Sequence, residues 1–352
     1  MSRRRVGGLT CHVISAPPTL RERQLLAAAR AGDSAAFGQL VEANRASLHV
    51  HCYRMLGSLH DADDALQEAL LRAWRALPRF DGRSALGTWL YRIATNACLD
   101  AIARRPKRVL PIDYEPRPGD PDGPLPRSTW IEPYPGDRLE DVHVSPDARY
   151  EQREAVELAF IATLQHLPAR QRAVLILRDA LGFSAGEVAA ALETTQVSVN
   201  SALQRARKSV AERLPERSQQ TTLRSLGDER ARAIVERFAD ALEHGDVDAI
   251  VDMLAEDATF AMPPYAGFDR GREAVADSWL MPSGPAPRLR CLPLRASGQL
   301  AVGAYKLDPD RRRYVPVALD LLTLRGARIA DVTAFRAVAL FPRFGLPDAL
   351  PA

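Results

Sequence analysis

The sequence predicts a multidomain chain in which two all-α domains precede an α+β domain. Three observations carry that reading. Apolar residues recur with the helical period on both sides of a proline-rich interruption, a tightly punctuated two-helix unit stands between residues 184 and 210, and beyond Gln219 helical patterns give way to alternating ones. At 352 residues the chain is too long for one comfortable hydrophobic core and fits two or three domains.

From Leu20 to Arg105 the pattern is helical: Leu66, Leu70, Ala73, Trp74 and Leu77 share one face of a helix at about 61–77. A second helix at about 85–104 has Leu86, Trp89, Leu90, Ile93 and Ala97 as its apolar stripe, with Thr88, Arg92 and Asn96 along its flank. Residues 1–18 open with Arg3, Arg4 and Arg5 but hold no apolar signal core, so they read as a disordered arm. Residues 108–149, rich in Pro and Asp, read as a linker, with Trp130 and Ile131 either a docking point or packing for a neighbour.

Net charge sharpens this division. Residues 19–108 carry 14 basic and 9 acidic groups, whereas residues 109–150 carry 4 and 9, which suggests a nucleic-acid-binding module joined to an acidic linker. No stretch approaches the roughly 20 apolar residues that a bilayer span needs, so no membrane partner is expected. Cys11, Cys52, Cys98 and Cys291 are scattered without framework spacing, which suits a reducing cytoplasm. His49, His51, Cys52 and His60 cluster in sequence, but their spacing matches no structural zinc site, and neither a metal nor another cofactor is expected.

The 150–216 segment has the clearest punctuation. Leu167-Pro168 starts a helix that Gly182 ends, Ser184 and Glu187 form a capping box, and Thr194 or Thr195 caps a further helix from about Gln196. That last helix turns Val199, Ala202, Leu203, Ala206 and Val210 inward. Its other side shows Thr195, Gln196, Val197, Asn200, Ser201, Gln204, Arg205 and Lys208, a set suited to major-groove reading: Asn and Gln pair with adenine, Arg with guanine, and Val covers a thymine methyl. Arg170 and Arg172 are expected to hold phosphates. On the 61–77 helix, Asp61, Asp64 and Glu68 surround an exposed Leu71. Spacing alone leaves that face open between a protein-binding surface and a solvated one braced by a Glu68–Arg72 pair.

Three runs carry a resemblance. His51 to Glu68, Thr88 to Asn96 and Leu167 to Leu175 resemble the extracytoplasmic-function (ECF) sigma factors of the sigma-70 family, with 19–107 as region 2 and 150–216 as the region 4 helix-turn-helix. After a short linker at 217–227, residues 228–352 resemble a SnoaL-like (NTF2-like) α+β cone-shaped barrel through Gly245 to Phe260 and Gly271 to Ala274. With the ending Leu340 to Pro347, the whole resembles the SigG-type group.

The resemblance implies a sigma factor that joins core RNA polymerase, at the clamp helices of the largest subunit and the beta flap, and directs initiation at promoter DNA. It implies that Asp61, Asp64, Gln67, Glu68 and Leu71 face the polymerase, which decides the question left open above. Arg83, Thr88, Arg92, Asn96 and Arg104 fall where the family reads the minus-10 strand, and the Thr195 to Lys208 face, with Arg170 and Arg172, belongs to the minus-35 element. Trp89 is expected in the core.

No enzyme activity is expected. In the C-terminal domain His244, Tyr265, Trp279, Asp320 and Asp331 are candidate cavity residues, but no two of them can be given acid and base roles, and fold does not establish function. A regulatory role in cis, with a possible small-molecule ligand, is expected instead. The ending at Phe341 to Pro347 is the candidate for docking on the sigma regions. The competing reading is a helix-turn-helix regulator fused to a ligand-binding or isomerase-like domain. The expected location is cytoplasmic and nucleoid-associated.

Overall fold

The computed structural model describes residues 19–105, 107–110, 113, 126, 129–136, 156–215, 217–280 and 288–352, without the side chains of 278–280. The N-terminal arm, most of the proline-rich segment and the start of the 150–216 domain lie outside them. The chain divides into two compact units, residues 1–108 with 138–214, and residues 109–137 with 215–352.

In the first unit, α1 (Leu20–Arg30) opens on a capping box between Thr19 and Glu22. α2 (Ser34–Leu56) starts at an Asp33 cap and ends on Gly57, whose φ of +70° is costly for residues with a Cβ. Ser58 then caps α3 (Leu59–Ala76), and α4 (Leu86–Arg104) completes a four-helix group. Fully buried Leu59, Ala62, Ala73 and Leu77 form the inner stripe of α3 and its end, at the expected period. Trp89 lies in this core, its ring 4.9 Å from that of Phe80.

The later part of the unit holds α5 (Leu158–His166), α6 (Ala169–Leu175, extended by a π turn at Ile176–Ala180), α7 (Ala185–Ala191) and α8 (Gln196–Arg213). Both hydrogen bonds of the Ser184–Glu187 capping box are present, and Thr195 caps α8. α5 packs against α2, and α6 against both α2 and α4, while α7 and α8 pack on the other helices of this group.

The second unit opens on a helix where a linker was expected, α9 (Gln219–Leu226). The Gln219 amide donates to Leu324 O at 2.9 Å and accepts from Leu324 N at 2.7 Å, so one side chain satisfies both backbone groups of a strand residue. Then come α10 (Asp228–His244), α11 (Val247–Met253), β1 (Leu254–Ala261), β2 (Asp269–Arg270), α12 (Arg272–Leu280), β3 (Leu289–Ala296), β4 (Gln299–Asp308), β5 (Arg313–Arg325), β6 (Arg328–Phe335) and β7 (Leu350–Pro351). The sheet order is β2-β1-β6-β5-β4-β3, with β7 beside the start of β5. β1 runs parallel to β6 and the other pairs are antiparallel. The sheet is open, so the expected barrel is a curved sheet that helices cover on one face.

That face meets α10 and α11 through Phe238, Ile250, Val302, Leu322 and Val332. A 3-10 segment at Val338–Phe344 and the residues after it pack back on this unit: the Phe341 ring meets Tyr305 edge-on at 5.3 Å, and the Tyr305 hydroxyl donates to Pro347 O at 2.8 Å. A Cβ at Gly303 would lie 2.7 Å from Leu346, so glycine makes room for that leucine. The ending is therefore committed to its own sheet, which corrects the expectation that it docks on the sigma-like regions: its two aromatics and Leu346 are buried here.

The described part of the proline-rich segment also belongs to this unit. Ser297 N donates to Tyr134 O and Tyr134 N to Ser297 Oγ, at 2.6 and 2.9 Å, while Trp130, Ile131 and Tyr134 are buried. Pro-rich backbone cannot extend a ladder, but one isolated bridge, Pro135 to Ala296, joins it to β3, and another, Val109 to Trp130, closes the segment on itself.

Candidate nucleic-acid interface

The amphipathic period of α8 decides which side chains reach solvent. Val199, Leu203, Ala206 and Val210 are buried against the preceding helices; Thr195, Gln196, Asn200, Gln204, Arg205 and Lys208 are exposed, Ser201 is half-buried, and Val197 is 75% exposed. A valine that open is costly to leave in water and suits apolar contact with a base methyl. Arg207, beside this face, is held away by a bidentate pair with Asp179 at 2.8 and 2.6 Å. Arg170 is exposed. Arg172 is not: its side chain is buried among carbonyl oxygens, and burial lowers its pKa to about 10. It cannot hold a phosphate from that position, which corrects the expectation. One helical step of about 100° per residue separates the outward Arg170 from the inward Arg172 by about 200°.

On α3, Asp64, Gln67, Glu68 and Leu71 are exposed, Leu71 to 45%. Glu68 accepts from Arg72 at 2.7 Å, and Arg72 also reaches Asp100 at 2.7 Å, which raises the pKa of the guanidinium further. Asp61 departs from expectation. As the third residue of α3 it points to the end of α4, where Arg105 pairs with it and Arg108 donates to it at 3.1 and 2.6 Å. At 4% exposure it is an internal ion pair and offers nothing to a partner.

Of the α4 set, Arg92 and Arg104 are exposed, as is Arg83 in the preceding loop, where it pairs with Asp81. Asn96 is half-buried, and the Thr88 hydroxyl is enclosed without a hydrogen-bond partner. His51 is buried beneath α4, with Nε2 2.9 Å from Thr95 Oγ1. Thr95 gives its hydroxyl hydrogen to Tyr91 O, so Nε2 is the donor and the ring is neutral; burial, then Arg54, lowers its pKa to about 3.

In the second unit the candidate residues do not converge. Asp320 pairs with Val302 and Ala334 across the sheet, Asp331 with Thr323 and Thr259, so the two carboxyls point to opposite faces. Asp331 accepts from Thr259 and Thr333 at 2.6 and 2.9 Å, and burial raises its pKa against those bonds. Asp320 faces the helix-covered side, 7% exposed with Oδ1 unpartnered, and burial raises its pKa to about 7. His244 is exposed at the end of α10 beside Asp240 O, which raises its pKa. Tyr265 is half-buried and the Trp279 side chain lies outside the described residues.

The architecture defines a class: two helical regions, one displaying a helix with an exposed polar face, joined to an α+β unit. Comparison with known proteins agrees. Residues 40–108 match Sigma-70 region 2, 157–210 match Sigma-70 region 4, and 235–332 match the SnoaL-like domain. The chain is 41% identical over 326 residues to the ECF RNA polymerase sigma factor SigG of Mycobacterium tuberculosis, spanning 91% of this chain and 86% of that one. SigM of the same organism is 33% identical over 192 residues, 54% of this chain and 83% of its own. The crystal structure of the Mycobacterium tuberculosis sigma factor SigJ shares the fold, with a TM-score of 0.55 at 22% identity over 87% of this chain and 98% of that one. The chain belongs to the ECF RNA polymerase sigma factors, which direct transcription initiation and are not enzymes.

Proposed function

We propose that the chain reads the minus-35 element through α8, with Gln196, Val197, Asn200, Gln204 and Arg205 on base edges and Arg170 and Lys208 on phosphates. The observation that carries this is the full solvent display of those polar side chains along the face opposite the buried Val199, Leu203, Ala206 and Val210. The minus-10 strand falls to Arg83, Arg92, Asn96 and Arg104, which combine backbone-tracking cations with one base-reading amide. Thr88 joins them once its hydroxyl is uncovered.

The polymerase surface is the exposed ridge of α3, reduced to Asp64, Gln67, Glu68 and Leu71. Acids around an exposed leucine suit a basic partner surface with one apolar socket, and the family relation supports the clamp helices of the largest subunit as that surface. The beta flap is the expected contact of region 4. The chain acts in the cytoplasm at the nucleoid. The α+β unit regulates these regions in cis, and its unpartnered Asp320 in an apolar setting suits a ligand with an apolar body and a hydrogen-bond donor.

The test is copurification with core polymerase. Asp64→Arg with Glu68→Arg reverses two exposed charges outside the apolar stripe, so folding survives and holoenzyme formation is lost. Unchanged core affinity in the folded double variant removes this surface. In transcription with purified core polymerase, deletion of residues 217–352 changes output from a cognate promoter if the α+β unit regulates; identical output from the shortened chain rejects that role.

A further inference from the structure

The second unit is nearly neutral in sum but not in distribution. Residues 228–280, which hold α10 to α12 with β1 and β2, carry 5 basic and 13 acidic groups, whereas residues 288–352 carry 11 and 5. One of those last five acids, Asp320, is buried. The later strands therefore show water a surplus of cations.

The two ends of the sheet treat these cations differently. Where β5 finishes and β6 starts, Arg325 pairs with Asp257 and Arg328 donates to Asp252 O. At the opposite end β3 and β5 start and β4 finishes, with Leu289 opposite Lys306 and Asp308 opposite Arg313. There Arg288, Lys306, Arg312 and Arg313 are exposed, and their side chains have no partner among the described residues. Beside them, Arg290 lies 3.5 Å from Glu243 and Arg311 3.5 Å from Asp308. Asp308 is occupied by the turn itself, where its Oδ1 accepts from Asp310 N and Arg311 N, both at 3.1 Å. Arg312 has a φ of +47°, the left-handed region that glycine or asparagine fills at lower cost. Held against its backbone preference with its side chain in water, this arginine gains nothing from packing, and its charge is what remains to be used.

We propose that this end of the sheet is a second DNA contact, in which Arg288, Lys306, Arg312 and Arg313 take phosphates of the duplex flanking the minus-35 element. The inference rests on the reading of α8 above, because chain length is what delivers the patch to DNA. Residues 214–218 separate α8 from α9, so the facing ends of those helices lie at most about 21 Å apart at ~3.6 Å per residue. α9 is fixed to β5 at Leu324, and β5 from there back to Arg313 spans at most about 36 Å at ~3.3 Å per residue. The cations thus stay within about 57 Å of the end of α8, or about 17 base pairs at ~3.4 Å each. Tethering at that range makes weak individual contacts count. A duplex is favoured over an acidic protein surface because it presents phosphates along the whole of that reach, wherever the patch falls. Such a contact adds affinity and salt dependence and leaves sequence preference unchanged.

The experiment uses holoenzyme assembled from the full chain with Cys11→Ser and an iron-EDTA cleavage reagent on one introduced cysteine; Cys52, Cys98 and Cys291 are buried. From Pro309→Cys, exposed in the turn, promoter DNA is cut within about 20 base pairs of the minus-35 element. Those cuts disappear when Arg288, Lys306, Arg312 and Arg313 are all changed to Gln. In equilibrium binding, two or three lost phosphate contacts flatten the salt dependence of the Gln variant. Between 50 and 200 mM salt the unmodified holoenzyme loses about 10- to 40-fold more affinity than that variant, at a logarithmic slope of ~0.9 per contact. Arg312→Gly suits the backbone better and keeps the fold, so its smaller effect, about threefold over the same range, is not a folding defect. A salt dependence that the Gln variant shares with the unmodified chain overturns the contact. Cuts in polymerase protein with none in DNA also overturn it and assign the patch to an acidic protein surface. A reagent on Glu212→Cys, exposed near the end of α8, separates the two readings. Cuts at the minus-35 element from Glu212→Cys without charge-dependent cuts from Pro309→Cys reject the patch and leave the reading of α8. No cuts there from Glu212→Cys reject the reading of α8 and the patch with it.

Discussion

The two units differ in where their candidate groups lie, outside the helices in one and inside the sheet in the other. In the first, the neutral His51 gives its one hydrogen to Thr95, which passes its own to Tyr91, and the candidate side chains lie on the outside of α3, α4 and α8. In the second, the buried Asp320 carboxyl keeps an oxygen with no partner, while the exposed surface holds no comparable base-reading face among the described residues. Unpartnered buried atoms occur in both units, His51 Nδ1 and the Thr88 hydroxyl in the first and Asp320 Oδ1 in the second, and each is a destabilising feature. The candidate residues for base reading and polymerase docking thus lie on the outside of one unit, and the buried candidate acid lies inside the other.

Acid titration gives the largest expected effect on this contrast. The His51 imidazole titrates near 3 in the native chain and near its ordinary 6.5 when unfolded, so the unfolded state binds more protons between those values. The stability of the first unit is therefore full above pH 6.5 and falls as pH is lowered, by about 1.4 kcal/mol per pH unit, reaching about 5 kcal/mol near pH 3. Hydrogen exchange of α2 and α4 amides, corrected for intrinsic rates, reports it, and His51→Asn flattens the slope. An unchanged slope in that variant means that other groups set the acid limit.

Asp320 works in the opposite direction. Its folded pKa of about 7 lies above the ordinary 3.8, so its contribution is full below pH 3.8 and is lost as pH rises toward 7, about 4 kcal/mol in all. Asp320→Asn removes this loss and stabilises the second unit at pH 8 while leaving the first unit's exchange rates alone. Equal exchange protection of β5 at pH 5 and pH 8 in the wild-type chain contradicts a buried, unpartnered acid.

The smallest effects belong to the exposed face. Gln204→Ala and Arg205→Ala each weaken use of promoters at the minus-35 end by roughly 1–3 kcal/mol and relax preference at one base pair, whereas Arg170→Ala weakens binding evenly across sequences. Selection of preferred sites with each variant separates the two patterns. Recovery of the same minus-35 preference from the Gln204 and Arg205 variants removes direct readout by them.

Most of the exposed site was legible from the chain. Helical period assigned the α8 face, and cap residues Ser184, Glu187 and Thr195 marked its boundaries, because such signals act over one or two turns. Two charged residues were misread for one reason: Asp61 and Arg172 find their partners 47 and 117 residues away, at Arg108 and Met55. No local pattern encodes that. α9 was missed similarly, where a linker was expected, since a Gln that completes the backbone of Leu324 is defined by a distant strand.

The amino-acid sequence by itself determined the helices of the first unit, their caps, the side of α8 that meets water and the change to an α+β pattern beyond Gln219. Each follows from interactions between residues a few positions apart. Tertiary structure decided which charges stay available, that the ending at Phe341 to Pro347 serves its own sheet, that Tyr134 is held by Ser297, and that Arg172 joins region 4 to region 2. Those outcomes depend on desolvation and on carbonyls brought together by packing, and a charged side chain in sequence has neither until the chain has folded around it.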